Sequence, residues 1–213
     1  MKTYLFDFDG TLVDSMPTYV SVMLRILDEN HIPYGSDLMK IITPLGYRGT
    51  AEYFRGMGVQ WSVDEMMAKM KAYAIEEYTH RVPAKEHVVS VVRQLKERGD
   101  SLHVLTASPH ETLDPCLKRL GIYDWFTNVW SCEDFGTTKA DPDIYRQAAE
   151  KIGQPVDSIL FLDDNYNADK TAKEAGMRVC GVYDDTSKEY IEEMKSVADF
   201  YIFDFSELPA IDW

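Results

Sequence analysis

Tyr4-Leu5-Phe6-Asp7-Phe8-Asp9-Gly10-Thr11-Leu12-Val13-Asp14-Ser15 is the stretch that decides the fold. Residues 4–6 are a short apolar run, the pattern of a central strand buried on both faces. Gly10 then breaks the direction of the chain. Asp7 and Asp9 stand two apart on an extended segment, and side chains at that spacing point the same way. Carboxylates on one side repel unless a cation lies between them or one keeps its proton. Such a pair suits a Mg²⁺ site with a nucleophile and an acid beside it. Asp, Gly and Thr are also ordinary turn residues, so Asp-x-Asp alone reads equally as a strand ending in a solvated turn.

The rest of the chain sets the frame. Its 213 residues fit one sizeable domain, or a domain with a smaller insertion. With 45% hydrophobic and 27% charged residues the composition is that of a soluble globular protein. A formal charge of -14 argues against nucleic-acid or anionic-membrane partners, which need basic patches. It leaves room for an anionic substrate at a local site of Mg²⁺, Lys139 and backbone amides. Cys116, Cys132 and Cys180 form no metal pattern and are odd in number, which predicts free thiols in a reducing cytoplasm. Met1-Lys2-Thr3 leads straight into the first strand, so no signal peptide is expected, and no apolar run reaches membrane-spanning length.

From residue 15 to residue 82 the apolar spacing is helical and strand signals are few. Pro17 suits a first helical turn, and Val20, Met23, Leu24, Ile26 and Leu27 make one apolar face. Further helices are expected over 37–42 and 49–55, and Ser62-Val63-Asp64-Glu65 reads as a capping box opening a helix to residue 79. After Pro83, helices and strands alternate. Helices are expected over 87–98, 112–120, 142–152 and 168–175, and strands over 102–105, 128–130, 159–162 and 178–182, with a weaker strand at 200–202. Alternation of this kind predicts a parallel α/β sheet. The expected architecture is a Rossmann-like three-layer α/β core of residues 1–14 and 83–213, with a small all-helical unit of residues 15–82 inserted after the first strand. Residues 203–213 carry no readable signal.

In open α/β sheets ligands collect beyond the carboxyl ends of the strands. There the first strand delivers Asp7 and Asp9, the second Thr106-Ala107-Ser108 and the fourth Asp163-Asp164-Asn165, while the loop after the third leads to Lys139. Each also has a plain local reading. Thr106 or Ser108 can cap the helix near Pro109, Lys139 can be a solvated charge, and the acidic pair can cap the helix that follows it. Asn167 and Asp169 read as surface residues at a helix start, or as an outer shell.

Taken together in this order, the segments resemble the motifs of the haloacid dehalogenase superfamily, in its phosphatase-like branch. Residues 7–15 resemble the first motif and Thr106 the second. Lys139-Ala140-Asp141-Pro142-Asp143-Ile144-Tyr145 resembles the third, departing at Ala140 where a proline is common. Asp163-Asp164 resembles the acidic pair of the fourth. The resemblance implies hydrolysis of a small phosphorylated metabolite, with Asp7 as nucleophile forming an aspartyl-phosphate and Asp9 as general acid and base. It implies catalytic roles for Thr106 and Lys139, and substrate contacts from Gly10, Thr11, Ala107 and Ser108. Mg²⁺ would be held by Asp7, the Asp9 backbone carbonyl and Asp164, with Asp163 a further ligand or a neighbour of one.

The helical insertion is similar to a type 1 cap, in which Arg48, within a loop Gly46-Tyr47-Arg48-Gly49-Thr50, would meet the leaving group; the same loop also reads as a polar helix connection. Dehalogenase members lack the second aspartate. Phosphosugar mutase relatives are similar, but their cap histidine is not found in residues 16–20. A phospho-accepting receiver module uses the same residue types in another order, and a silent binding module would keep the fold without turnover. The resemblance fits a cytoplasmic monomer or homodimer.

Overall fold

The computed structural model describes residues 1–213, the side chain of Pro44 excepted. The chain forms two compact units, one of residues 1–14 and 83–213 and one of residues 15–82. The strands are β1 (Thr3–Phe6), β2 (Ser101–Thr106), β3 (Asn128–Ser131), β4 (Ile159–Asp163), β5 (Arg178–Val182) and β6 (Phe200–Ile202). The helices are α1 (Met16–Glu29), α2 (Leu38–Ile42), α3 (Gly46–Gly56), α4 (Val63–His80), α5 (Val88–Glu97), α6 (His110–Arg119), α7 (Asp143–Ile152), α8 (Tyr166–Ala175) and α9 (Ile191–Val197).

In the first unit all six strands run parallel in the order β3-β2-β1-β4-β5-β6. Every residue of β1 is buried, as its apolar run requires of a strand lying between β2 and β4. Side chains alternate across the sheet. Leu5, Leu105, Phe161 and Val179 face the apolar stripes of α7 and α8, namely Ile144, Tyr145, Ala148, Ala168 and Ala172. Phe6 turns to the opposite face and meets the rings of Phe126 and Phe205, with centroids 6.1 and 6.3 Å apart. The result is a three-layer α/β core. From β1 the chain adds β2 and β3 on one side, then crosses back from β3 to place β4, β5 and β6 on the other, so the strand order switches beside β1 and opens a crevice at the carboxyl ends.

The inserted unit is helical. Val22, Met23, Ile26 and Leu27 of α1 pack with Ile42 of α2, Phe54 of α3 and Met66 and Met70 of α4. The capping box at the start of α4 is present: Glu65 N–H donates to Ser62 Oγ at 3.2 Å, and Ser62 N–H to Glu65 Oε2 at 2.7 Å.

Several elements differ from their sequence reading. Residues 46–50 are not a loop but the first turn of α3. Two glycines there signal a connection, yet Thr50, Ala51 and Phe54 form a buried stripe that carries the helix back to Gly46. Gly49 is there for closeness, since a Cβ at that position would lie 2.9 Å from the Leu45 Cβ. Helix α9 was not legible because only Met194 of its seven residues is buried. The C-terminal segment packs on the core: the Trp213 ring meets Tyr4 edge-on at 5.4 Å, and Lys2 Nζ donates to the Ile211 carbonyl at 2.8 Å. Cys116, Cys132 and Cys180 are buried free thiols. Among the described residues no helix is long and apolar enough to cross a membrane.

Candidate active site

The crevice is built from four strand ends. Asp7 N–H donates to the Leu162 carbonyl at 2.8 Å, extending the β1–β4 ladder by one residue and fixing where the Asp7 side chain starts. A tight loop follows, in which Leu12 and Val13 N–H both donate to the Phe8 carbonyl at 2.9 and 3.0 Å. Phe8, Leu12 and Val13 are fully buried and pin the loop from below. Gly10 has φ +74°, a conformation costly for other residues, and a Cβ there would stand 2.4 Å from Asp164 Oδ2. Thr11, fully buried, donates from Oγ1 to Asp164 Oδ1 at 3.1 Å. Its hydroxyl is thus engaged with an acid rather than turned to solvent.

At the end of β2, Thr106 Oγ1 accepts the Ser108 N–H at 3.1 Å, and Ser108 Oγ donates to Asp9 Oδ2 at 2.5 Å. Neither side chain caps α6, whose N-cap is Pro109. Ser108 instead orients Asp9, and Ala107 between them is exposed. After β3, the Tyr145 hydroxyl on α7 donates to the Lys139 carbonyl at 3.2 Å and places that residue. Lys139 Nζ then lies 2.6 Å from Asp7 Oδ1, off the line of a true hydrogen bond, and donates to Asp163 Oδ2 at 2.7 Å.

Asp163 spends its other oxygen, Oδ1, on the Asn165 N–H at 2.8 Å. The acidic pair does not cap α8. That is done by Asn165, whose side-chain oxygen accepts from Asn167 and Ala168 N–H. Asp7, Asp163 and Asp164 are all buried and bring oxygens within 4.8 Å of one another.

Charge is concentrated here. Burial pushes the Asp7 carboxyl up to about 7, helped by Asp163 and Asp9 and opposed by the Lys139 ammonium. Burial, with Asp163 and Asp7 adding to it, holds Asp164 well above the ordinary carboxylate range. Burial works against the Lys139 charge, but Asp163 and Asp7 outweigh it and keep the ammonium protonated. Three crowded carboxylates with one ammonium fit a hard divalent cation, which binds oxygen ligands and would relieve the repulsion. The residues present fit Mg²⁺ in that sense.

Asp169 corrects its surface reading. It is fully buried, neither carboxylate oxygen has a hydrogen-bond partner among the described residues, and burial together with Asp163 and Asp164 raises its carboxyl well above the usual range. Gly181 leaves it room, since a Cβ there would lie 3.3 Å from Asp169 Oδ2 and 2.7 Å from the Tyr201 ring. The signal was present: Asp169 falls on the stripe of Ala168, Ala172 and Ala175 that faces the sheet. Asn167, by contrast, is exposed. Arg48 belongs to the inserted unit. There its exposed guanidinium lies 3.6 Å from Asp64, a surface pairing of small energetic weight.

A family model described as haloacid dehalogenase-like hydrolase matches residues 4–182. The pyrophosphatase PpaX of Bacillus velezensis is 30% identical over 182 residues, covering 84% of this chain and 81% of that protein. The validoxylamine A 7'-phosphate phosphatase of Streptomyces hygroscopicus subsp. limoneus is 24% identical over 207 residues, covering 97% and 95%. Among solved structures, a predicted phosphoglycolate phosphatase from Haemophilus somnus 129pt superposes with a TM-score of 0.82 at 21% identity, covering 99% of this chain and 97% of that one. At that identity the likeness speaks for the fold.

Proposed function

The chain belongs to the haloacid dehalogenase-like hydrolase family, in its phosphatase branch, and we propose that it hydrolyses a small phosphate monoester in two steps through Asp7. The observation that carries the proposal is Lys139 lying 2.6 Å from Asp7 and 2.7 Å from Asp163, beside the buried carboxylate of Asp164. A lysine so placed favours the ionised Asp7 that attack requires, against the burial that raises its pKa, and offsets the incoming phosphate.

Asp7 attacks phosphorus and forms an aspartyl-phosphate. Asp9, oriented by Ser108, gives a proton to the leaving oxygen and then takes one from the water that hydrolyses the acyl-phosphate; help of this kind is worth about 10²–10⁴ in rate. Thr106 uses its oxygen lone pair on the Ser108 N–H, which leaves its proton for a phosphoryl oxygen. Asp7 and Asp164 would hold Mg²⁺, together with the Asp9 carbonyl that the resemblance implies. Asp163 is assigned beside the ion because both its oxygens are committed, to Lys139 and to Asn165. When bound, Mg²⁺ would screen the Asp7 carboxylate from the phosphate and polarise the phosphoryl oxygens.

The test is phosphate release from a panel of sugar phosphates, phosphoglycolate, nucleotides and inorganic pyrophosphate, with and without Mg²⁺. Wild type is compared with Asp7→Asn and Asp9→Asn. Turnover that survives Asp7→Asn or chelation contradicts the proposal. Turnover lost in both, with ³²P retained on wild-type protein in a quenched reaction, supports the covalent step.

A further inference from the structure

Lys85 lies in none of the motifs, yet both its backbone and its side chain are tied to the loop that carries Asp7 and Asp9. Residues 83–85 run beside the catalytic loop: Asp14 N–H donates to the Pro83 carbonyl at 3.0 Å, and Lys85 N–H to the Leu12 carbonyl at 3.1 Å. The Lys85 side chain, 18% exposed, then reaches to the turn of that loop. Its ammonium donates to the Gly10 carbonyl at 2.6 Å, to the Tyr183 carbonyl at 2.5 Å and to Asp184 Oδ2 at 3.1 Å. An ammonium has three protons, and all three are used.

The far anchor is itself fixed. Tyr183 N–H donates to the Ile202 carbonyl at 2.9 Å, continuing the β5–β6 ladder. Asp184 is buried, and its Oδ1 accepts from both the Thr186 N–H at 2.9 Å and the Thr186 hydroxyl at 2.6 Å. Lys85 therefore ties the Gly10 carbonyl to a rigid end of the sheet. The near anchor leads into the site, because Gly10 packs directly against the Asp164 carboxylate and Thr11, the next residue, donates to it.

We propose that Lys85 is a positioning residue for the divalent-cation site. Through the Gly10 carbonyl it holds the Gly10–Thr11 peptide, and that peptide sets where the Asp164 carboxylate stands relative to Asp7. The inference rests on the reading of Asp7 and Asp164 as cation ligands. Two physical roles predict opposite signs, which makes it testable. A lysine acting only through its charge repels Mg²⁺, so removing it would tighten binding. A lysine that positions a ligand loosens binding when it is lost, by about 10–100-fold for such supporting residues.

The experiment is calorimetric titration of Mg²⁺ into the substrate-free full chain, for wild type, Lys85→Met and Lys85→Gln, with phosphate release followed in parallel across a Mg²⁺ series. Lys85→Met removes charge and donor at similar length. Lys85→Gln keeps an amide donor and serves if the methionine variant does not fold. The expected result is Mg²⁺ affinity weaker by 10-fold or more for Lys85→Met and by about fivefold for Lys85→Gln, with kcat largely recovered at high Mg²⁺. Unchanged or tighter affinity, with or without a fall in Tm, overturns the proposal. A wild type that binds no Mg²⁺ shows, before any substitution is read, that the cation reading itself has failed and the positioning role with it.

Discussion

Gly10→Ala isolates the contact between Gly10 and Asp164 on which the proposed cation site rests. The new methyl would lie 2.4 Å from Asp164 Oδ2, 2.6 Å from its Cγ and 2.7 Å from Oδ1, whereas ordinary contact begins at 3.4 Å. Asp164 must therefore retreat by about 1 Å, a misplacement large enough to cost about 10²-fold in rate. The same retreat stretches the 3.1 Å hydrogen bond from Thr11 beyond useful length. A second cost comes from the backbone: alanine at φ +74° is disfavoured by about 1–2 kcal/mol. For a chain of this size that lowers Tm by about 2–8 °C.

Gly153→Ala separates the two costs. Gly153 ends α7 at φ +77°, and beyond its own neighbours in the chain no atom of the described residues lies within 4 Å of an added Cβ. Without Mg²⁺ both variants should show the backbone cost, with a further loss in Gly10→Ala from the displaced Asp164 and its broken Thr11 hydrogen bond; Gly10→Ala alone should lose 10–100-fold in Mg²⁺ affinity and about 10²-fold in turnover. Thermal melts with and without Mg²⁺, calorimetric titration and initial rates measure all three. A Gly10→Ala protein that binds Mg²⁺ like wild type would refute the argument that this glycine sets the place of Asp164.

Because the folded Asp7 carboxyl sits near 7, above its ordinary 3.8, the metal-free fold binds a proton that the unfolded chain has lost. Its stability should therefore fall as pH rises from about 4 to 7, and Mg²⁺ should reverse the trend; Tm against pH in EDTA and in Mg²⁺ checks both signs. Mg²⁺ affinity should drop about tenfold per pH unit below 7, with proton release seen as buffer-dependent titration heat. Lys139→Met leaves Asp7 and Asp163 buried without their cation, costing about 3–5 kcal/mol at pH 8 and less at pH 5, read by denaturant unfolding. His87→Gly relieves a non-glycine φ of +63° and gives up the pairing with Asp204 at 2.8 Å. The partner raises the His87 pKa, so that pairing stabilises below about 6.5 and fades as pH rises. The variant should then gain about 2–4 °C in Tm at pH 8 and less at pH 5.5, as thermal melts will show.

What was legible in the sequence was what strand ends dictate. Apolar runs at 4–6, 102–105 and 159–162 locate the sheet, and its carboxyl ends then bring Asp7, Thr106 and Asp163 to one crevice without further information. What was hidden depends on partners distant in sequence. Thr11 reads as a phosphate contact until it is seen to donate to Asp164, 153 residues away. Lys85 carries no local signal, because Gly10 and Tyr183, which converge on it, lie 75 and 98 residues away. Asp169 is half legible: its place on the stripe of Ala168, Ala172 and Ala175 points it at the sheet, but the room it occupies is set by Gly181 and Tyr201 on strands β5 and β6. The start of α3 was missed for the opposite reason: two local glycines outweighed a buried stripe that only packing reveals.

The strand order has a consequence for how the chain is made. β1 is translated first, but both its neighbours, β2 and β4, come after the inserted unit. At about 5–20 residues per second, the 153 residues between Thr11 and Asp164 take about 8–30 s to emerge from the ribosome. Residues 15–82 are contiguous, so the whole of the unit that interrupts the sheet is synthesised before the sheet can begin. Until β2 emerges the apolar run Tyr4-Leu5-Phe6 has two unpaired edges, and until β4 emerges it has one, the state in which strands recruit wrong partners. Asp7 is thus among the last groups to be housed, and the nascent chain's exposure to aggregation is set by the distance from β1 to β4.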